Sequence, residues 1–153
     1  MRNEIKFVHT NIITKDWKKL AQFYIDVFEC EPLYPERDLS GERVDKLTNI
    51  PDVKIRGIHL KLPGYDNGPI LEIFEYNEIS KRDNTQLINN LGFSHIAFHV
   101  SDVDNTLDRL IANGGEKYGE LIEKEIKGIG NLKAIYARDL DGNIIEIQNW
   151  KKE

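Results

Sequence analysis

The sequence predicts an α+β fold in which one β-α-β-β-β module occurs twice in tandem. Phe7-Val8-His9 near the start of the chain is echoed by Phe93-Ser94-His95. Pro69-Ile70-Leu71-Glu72-Ile73 is echoed by Asn143-Ile144-Ile145-Glu146-Ile147. Each half therefore has a histidine near its start and a glutamate near its end, and the elements between them follow the same order.

The composition is that of one globular domain spanning residues 1–153. A chain of 153 residues with 40% hydrophobic residues can bury a sizeable core. Its net charge of -5 argues against a nucleic-acid or anionic-membrane partner, which would need a basic surface. We see no early apolar run of signal-peptide or transmembrane length, so we expect a cytoplasmic protein. The single Cys30 excludes an internal disulfide and a cysteine-based zinc site.

The first module covers residues 5–76. Residues 5–13 are predicted to form a strand, and Asp16 has the position of an N-cap for an amphipathic helix that stops at Cys30-Glu31-Pro32. The other predicted segments are a short strand over 33–36, an irregular or briefly helical stretch over 37–51, and strands over 54–62 and 69–76. The stretch over 37–51 makes this module the longer one and lies where a lid would sit.

Residues 77–92 are polar, show no strand pattern and are predicted to link the modules. The second module covers residues 93–150. It is predicted to contain a strand over 93–100, a helix capped by Asp102 and ended by Gly114-Gly115, and strands over 117–123, 132–138 and 143–150.

Four residues carry the predicted chemistry, one histidine and one glutamate from each module: His9, Glu72, His95 and Glu146. Because successive strand residues point to opposite faces, Glu72 opposes Leu71 and Ile73. The apolar face can pack on helices, and the polar face is left to line a concavity. Any one of these side chains alone would be interpreted as a solvated polar residue. Four at matched places favour a ligand set for one divalent metal ion.

At this point the sequence resembles the vicinal oxygen chelate superfamily, the group of glyoxalases, bleomycin-resistance proteins and extradiol dioxygenases. The likeness covers nearly the whole chain. It implies that the two modules pair into an eight-stranded, open, cup-shaped barrel around a metal. The residues that carry it are Val8-His9-Thr10, Phe23-Tyr24, the stretch 56–64, Gly92-Phe93-Ser94-His95-Ile96-Ala97-Phe98 and the stretch 138–146.

Ligands at all four positions are similar to those of glyoxalase I and methylmalonyl-CoA epimerase. Relatives resembling extradiol dioxygenases or fosfomycin-resistance enzymes have no ligand where this chain has Glu72. The resemblance therefore implies a metal-dependent lyase, isomerase or epimerase that stabilises an enediolate or enolate of a small α-oxygenated carbonyl compound. The alternatives are a binding or resistance protein that does no chemistry and an Fe(II) dioxygenase. Four protein ligands leave up to two open positions on an octahedral ion. This coordination suits Ni, Co, Mn or Fe better than Zn, which prefers a closed tetrahedral site.

Glu146 and Glu72 are the two candidates for the catalytic base, and we favour Glu146 because similar enzymes keep a glutamate at that position. For substrate binding we expect His59, His99 and Arg56. Ile13 and Tyr76 replace an arginine and an asparagine of bacterial glyoxalase I, which argues against a glutathione substrate. No basic cluster marks a CoA phosphate site, for which Arg37, Arg43, Lys46 and Arg56 are loose candidates. Edge strands in this fold are commonly covered by dimerisation, so we also expect a homodimer.

Overall fold

The computed structural model describes residues 4–82 and 84–152. Asp83 of the predicted linker, together with residues 1–3 and 153 of the predicted domain, lies outside the described residues. The chain divides into two compact units. One comprises Met1–Ile25 and Glu29–Lys81, and the other comprises Asp26–Phe28 and Arg82–Glu153. The division after Lys81 falls within the predicted linker.

The first unit contains a four-stranded sheet with the strand order β1-β4-β3-β2. Strand β1 is parallel to β4, and the other neighbours are antiparallel. The elements over this part of the chain are β1 (His9–Ile13), α1 (Trp17–Phe28), β2 (Glu31–Ser40), α2 (Glu42–Thr48), β3 (Lys54–Lys61) and β4 (Ile70–Tyr76). All belong to the first unit except Asp26–Phe28 of α1. The β-α-β-β-β order predicted for this module is confirmed, with α2 as an insertion.

Helix α1 begins and ends where its sequence predicts. The side chain of Asp16 accepts a hydrogen bond from the backbone N–H of Lys19, which satisfies a donor of the first turn. Leu20, Tyr24 and Val27 recur at helical spacing and are buried. The helix ends at Glu29, which adopts the left-handed conformation.

Strand β2 is longer than the predicted 33–36 and takes up part of the stretch predicted to be irregular. A bulge between Leu33 and Arg37 inserts residues while keeping the pairing with β3, so that the ladder continues to Ser40 opposite Lys54. Helix α2 follows and packs on β2. A small cluster of Val53, Ile55 and Phe74 packs with partly buried side chains that include Val44 of α2.

The second unit contains a five-stranded sheet in which β5, β9, β8 and β6 lie side by side and β7 also pairs with β8. Strand β5 is parallel to β9, as β1 is to β4. Its elements are β5 (His95–His99), α3 (Val103–Ala112), β6 (Glu116–Lys117), β7 (Ile122–Ile126), β8 (Gly130–Arg138) and β9 (Ile144–Lys151). Helix α3 is capped by Asp102 as predicted and packs on β6, β8 and β9.

The single strand predicted over 117–123 is wrong, because this segment forms two strands, β6 and β7. The backbone N–H groups of Tyr118 and Gly119 both donate to the carbonyl of Tyr136, so the ladder stops advancing there. The described chain consequently has nine strands in two sheets, not the eight predicted. The α+β class with two related modules is confirmed.

Part of the predicted linker is docked on the second unit. Arg138, which is buried, donates to the carbonyl oxygens of Gln86 and Gly142, and its guanidinium lies 4.5 Å from the centre of the Tyr118 ring. The side-chain amide of Gln86 donates to the carbonyls of Phe93 and Ser94. These bonds fix the backbone that leads into β5.

No helix among the described residues is long and apolar enough to cross a membrane.

Candidate functional site

In the first unit, the predicted site is centred on Glu72, in the middle of β4. The Cα partners of Glu72 are Asn11 on β1 and His59 on β3, so both side chains share its face of the sheet. His9 lies two residues before Asn11 on that face. Leu71 and Ile73 are almost completely buried on the other face, as predicted from the alternation.

Three nitrogen atoms approach the Glu72 carboxylate. His9 Nε2 is 3.1 Å and Asn11 Nδ2 is 3.2 Å from Oε1, and His59 Nε2 is 2.8 Å from Oε2. Glu72 is only 8% exposed, which explains why it needs these partners. The structure thus brings His9 and Glu72 together and adds two further side chains.

The second unit repeats this geometry around Glu146 on β9. Its Cα partners are Ala97 on β5 and Tyr136 on β8, and His95 lies two residues before Ala97. His95 Nε2 is 3.2 Å from Glu146 Oε2. In both sheets the histidine pairs in register with the residue two positions before the glutamate.

Arg37 determines which ring nitrogen of His59 carries the proton. Arg37 Nη2 lies 3.2 Å from His59 Nδ1. Because a guanidinium has only donors, Nδ1 accepts this bond, and Nε2 carries the hydrogen that is donated to Glu72. Burial lowers the pKa of His59, and the positive charge of Arg37 lowers it further, against the opposing effect of Glu72. His59 is therefore a neutral donor to the carboxylate.

Ser94 has the corresponding effect on His95, with the opposite result. The hydroxyl of Ser94 donates to the carbonyl of Ile88 at 2.9 Å, and its oxygen lies 3.1 Å from His95 Nδ1. The only hydroxyl hydrogen is used by Ile88, so Nδ1–H of His95 donates to Ser94. In a neutral ring this leaves a lone pair on Nε2, which faces the carboxylate of Glu146. Two lone pairs at this distance repel each other unless a cation or a proton lies between them.

Tyr136 faces Glu146 from the neighbouring strand. Its ring packs edge-on against the ring of His95, with the centroids 5.0 Å apart. Burial raises the pKa of Tyr136, and the charge of Glu146 raises it further. The phenol is therefore protonated at neutral pH and can donate a hydrogen bond toward this face.

The donor atoms of each pair have a spacing that fits a metal ion. Two ligands that bind an ion at right angles, each about 2.1 Å from it, lie about 3.0 Å apart. The His9–Glu72 and His95–Glu146 separations are close to this value. Within 4–82 and 84–152, however, no three His, Cys, Asp or Glu side chains form a group that could hold an ion.

The three residues predicted to bind substrate differ in where the structure places them. His59 lies on the same face as Glu72 and contacts it directly. His99 follows His95 and Ala97 on one face of β5, pairs in register with Gln148 and is exposed. Arg56 lies on the face opposite to Glu72, where its guanidinium is 3.3 Å from Glu75, and the structure does not bring it to the other site residues.

Sequence reasoning missed Asn11, Ser94 and Tyr136. An alignment of the two modules could have found Tyr136, because it corresponds to His59. Each of these residues lies on the strand that is second from the one carrying His9 or His95. The same alignment places Ser94 opposite Val8, and a polar residue there was the available signal. Asn11 has only the strand alternation to indicate that it shares the face of His9.

Solved structures with the same fold are found over almost the whole chain. A glyoxalase family protein from Bacillus cereus is 18% identical, with a TM-score of 0.85 over 97% of this chain and 96% of that one. A glyoxylase/bleomycin resistance protein/dioxygenase domain from Frankia sp. EAN1pec is 17% identical, with a TM-score of 0.60 over 97% and 100%. The fosfomycin resistance protein FosX from Listeria monocytogenes, solved with Mn(II) and sulfate, is 20% identical, with a TM-score of 0.56 over 99% and 95%.

No curated protein sequence matches the chain. The family model described as Glyoxalase/Bleomycin resistance protein/Dioxygenase superfamily matches residues 6–147. That match covers nearly all of both β-α-β-β-β modules and includes all four predicted ligands. The chain belongs to the glyoxalase, bleomycin resistance protein and dioxygenase superfamily.

Proposed function

We propose that the protein is a metal-dependent lyase, isomerase or epimerase that moves a proton next to the carbonyl of a small α-oxygenated compound. The observation that carries this proposal is the repeated His–Glu pair. Each pair has the same strand register and a donor spacing that suits one ion. A protein that only enclosed an apolar molecule would not need either pair.

His9, Glu72, His95 and Glu146 are the proposed ligands of a single divalent ion. When bound, the ion would supply a Lewis acid for the substrate oxygens. Two imidazoles and two carboxylates accept Mn, Fe, Co, Ni or Zn. Mn(II) is the first ion to test, because the FosX relative was solved with it.

The two carboxylates are held differently, which supports different roles for them. Glu72 has three nitrogen partners on its two oxygens. Within the described residues Glu146 forms one ion pair, with His95, and faces the phenol of Tyr136. A carboxylate with fewer fixed partners can reorient and accept a proton more readily. We therefore propose Glu146 as the general base, which takes the proton from the carbon beside the carbonyl, and Glu72 as a ligand.

Metal binding is the first test of the proposal. Calorimetric titration of Mn(II) into protein cleared of metal by a chelating resin should give one ion per chain. Ala variants of either His9 or His95 should each abolish binding if one set of four ligands is shared. Two ions per chain, or loss of one ion at a time, would show that the pairs bind separately. No binding of any of the five metals would refute the proposal.

Proton transfer is the second test. Metal-loaded protein should exchange deuterium from D2O into a substrate that has an acidic C–H beside its carbonyl. Dihydroxyacetone, the hemithioacetal of methylglyoxal with glutathione, and methylmalonyl-CoA cover three substrate sizes. Glu146→Gln at saturating metal should lose exchange by roughly 100- to 10,000-fold and keep the ion. Exchange that persists in Glu146→Gln but vanishes in Glu72→Gln would reverse the two roles.

The two alternative functions give other results in these assays. A dioxygenase would consume O2 with a catechol in the presence of Fe(II). A binding or resistance protein would bind its ligand with or without metal and show no exchange. Glu72 favours proton transfer over dioxygenase chemistry, because it supplies a fourth ligand.

We also propose that the protein is a homodimer in its working state. Strands β1 and β2 are the edges of the first sheet, and β5 is an edge of the second, so each has backbone groups available for pairing. Sedimentation at micromolar concentration should give the mass of two chains. A monomer under these conditions would contradict this proposal without affecting the metal site.

A further inference from the structure

Arg37 is a basic side chain on the functional face of the first sheet. It pairs in register with Gly57, two residues before His59 on β3, and therefore shares the face of His59 and Glu72. The bulge after Leu33 brings it to this position. Its side chain is half-buried, and its guanidinium reaches His59.

The guanidinium of Arg37 has donors to spare. One N–H donates to the carbonyl of Pro35 and another to Nδ1 of His59. A guanidinium has five N–H donors, so these two bonds leave the others for a further acceptor. Among the residues that the structure describes, no carboxylate lies within ion-pair distance of Arg37. A half-buried cation with no anionic partner is suited to bind one.

Three other basic residues of the first unit are placed differently. Arg56 pairs with Glu75 on the opposite face, and Lys46 lies 2.6 Å from Glu42 on α2. Lys61 shares the face of His59, but its ammonium lies 3.9 Å from Glu31. Arg37 thus combines the right face, contact with the site and an unneutralised charge.

We propose that Arg37 binds an oxyanion of the substrate, either a carboxylate or a phosphonate, and so selects anionic α-oxygenated carbonyl compounds. This inference rests on the proposed function, since it assigns the substrate class of the same site. Either oxyanion can accept two parallel N–H bonds from a guanidinium. The bond from Arg37 to His59 would then join substrate binding to the orientation of Glu72.

The test uses small anions that cannot chelate a metal through an α-oxygen. Propionate and methylphosphonate are titrated into 15N-labelled protein cleared of metal by a chelating resin, with NaCl as the ionic-strength control. Saturable shifts of the Arg37 Nε–H and Gly57 amide signals are expected with at least one probe. The probe that binds more tightly identifies the class of oxyanion.

Arg37→Met removes the charge and keeps most of the side-chain length, and should weaken binding about tenfold or more. Arg37→Lys should recover part of the affinity, and Arg56→Met is the matched control because its charge lies on the other face. Equal affinity in wild type and Arg37→Met, or no saturable shift with either probe, would overturn the inference. Mn(II) stoichiometry measured on the same variants tests the metal proposal separately, so that the two can fail independently.

Discussion

His59 and Tyr136 occupy matching positions in the two sheets, each directly across from the glutamate of its own module. Burial keeps both of them neutral, because it lowers the pKa of His59 and raises that of Tyr136. Each glutamate therefore faces a neutral hydrogen-bond donor from the adjacent strand. Only His59 makes a direct bond to its glutamate, at 2.8 Å. The two modules have the same backbone plan and leave their carboxylates with different freedom.

Tyr136→Phe should keep the metal and lower the rate of proton transfer, since the phenol can donate to the substrate or to Glu146. The titration of the same phenol gives a separate prediction. Because the pKa of Tyr136 is raised above its ordinary value of 10.0, the phenol should lose its proton only beyond that pH. Any stability that it contributes is complete below pH 10.0 and declines as the pH rises through the higher folded value. Tyrosinate absorbance, compared between wild type and Tyr136→Phe, reports this titration. A titration of Tyr136 below pH 10.0 would contradict the raised pKa of the phenol.

Ser94→Ala should weaken metal binding about tenfold or more, because His95 loses the partner that keeps a hydrogen off Nε2. Ser94→Thr keeps a hydroxyl and should restore most of the affinity. Ser101→Ala is the control, because Ser101 is an exposed serine two residues beyond the other end of β5. Calorimetry with Mn(II) measures the affinities, and thermal unfolding shows whether Ser94→Ala also loosens the segment held through Ile88. Unchanged affinity in Ser94→Ala would rule out this tautomer argument.

Gly57→Ala should destabilise the first sheet by about 1–3 kcal/mol. A Cβ at this position would lie 2.1 Å from the carbonyl oxygen of Ile73 and 2.6 Å from Cδ1 of Phe74. The backbone oxygen cannot move without breaking the ladder, so strain cannot be relieved by Phe74 alone. Gly119→Ala is the control, because a Cβ there would meet nothing within 4 Å. Urea unfolding curves of the two variants should differ, and equal midpoints would contradict the close packing around Gly57.

Cys30 should resist alkylation in the folded protein. Burial raises its pKa from 9.0 to about 12, so little thiolate forms below pH 9.0. The stability linked to this shift is complete below pH 9.0 and is lost as the pH rises toward 12. Iodoacetamide labelling followed by mass spectrometry should be slow in buffer and rapid in denaturant. Rapid labelling of the native protein at about pH 8, below the ordinary thiol pKa of 9.0, would contradict this prediction and show that Cys30 is accessible.

The sequence was sufficient to predict elements whose signals are local. The Asp16 and Asp102 caps, the apolar spacing in α1 and α3, and the alternation around Glu72 all depend on residues within one element. The bonds of Arg37 to His59 and of Asn11 to Glu72 join different strands, and depend on register. The register that brings Arg37 to His59 depends in turn on the bulge in β2, for which Leu33 to Arg37 give no clear periodic signal. The break between β6 and β7 was missed because it also depends on a contact with another strand. There the N–H groups of Tyr118 and Gly119 share the carbonyl of Tyr136.

The same bulge has a consequence for how such a site can change during evolution. Strand β2 lies at the edge of its sheet, so residues inserted or deleted between Leu33 and Arg37 need only one neighbouring strand to accommodate them. Glu72 and His59 lie on strands that are paired on both sides. A lineage could therefore exchange the residue that now stands at position 37 by a change in length, with the ladder of the inner strands left intact. Substrate preference and metal chemistry would then be inherited as separable traits.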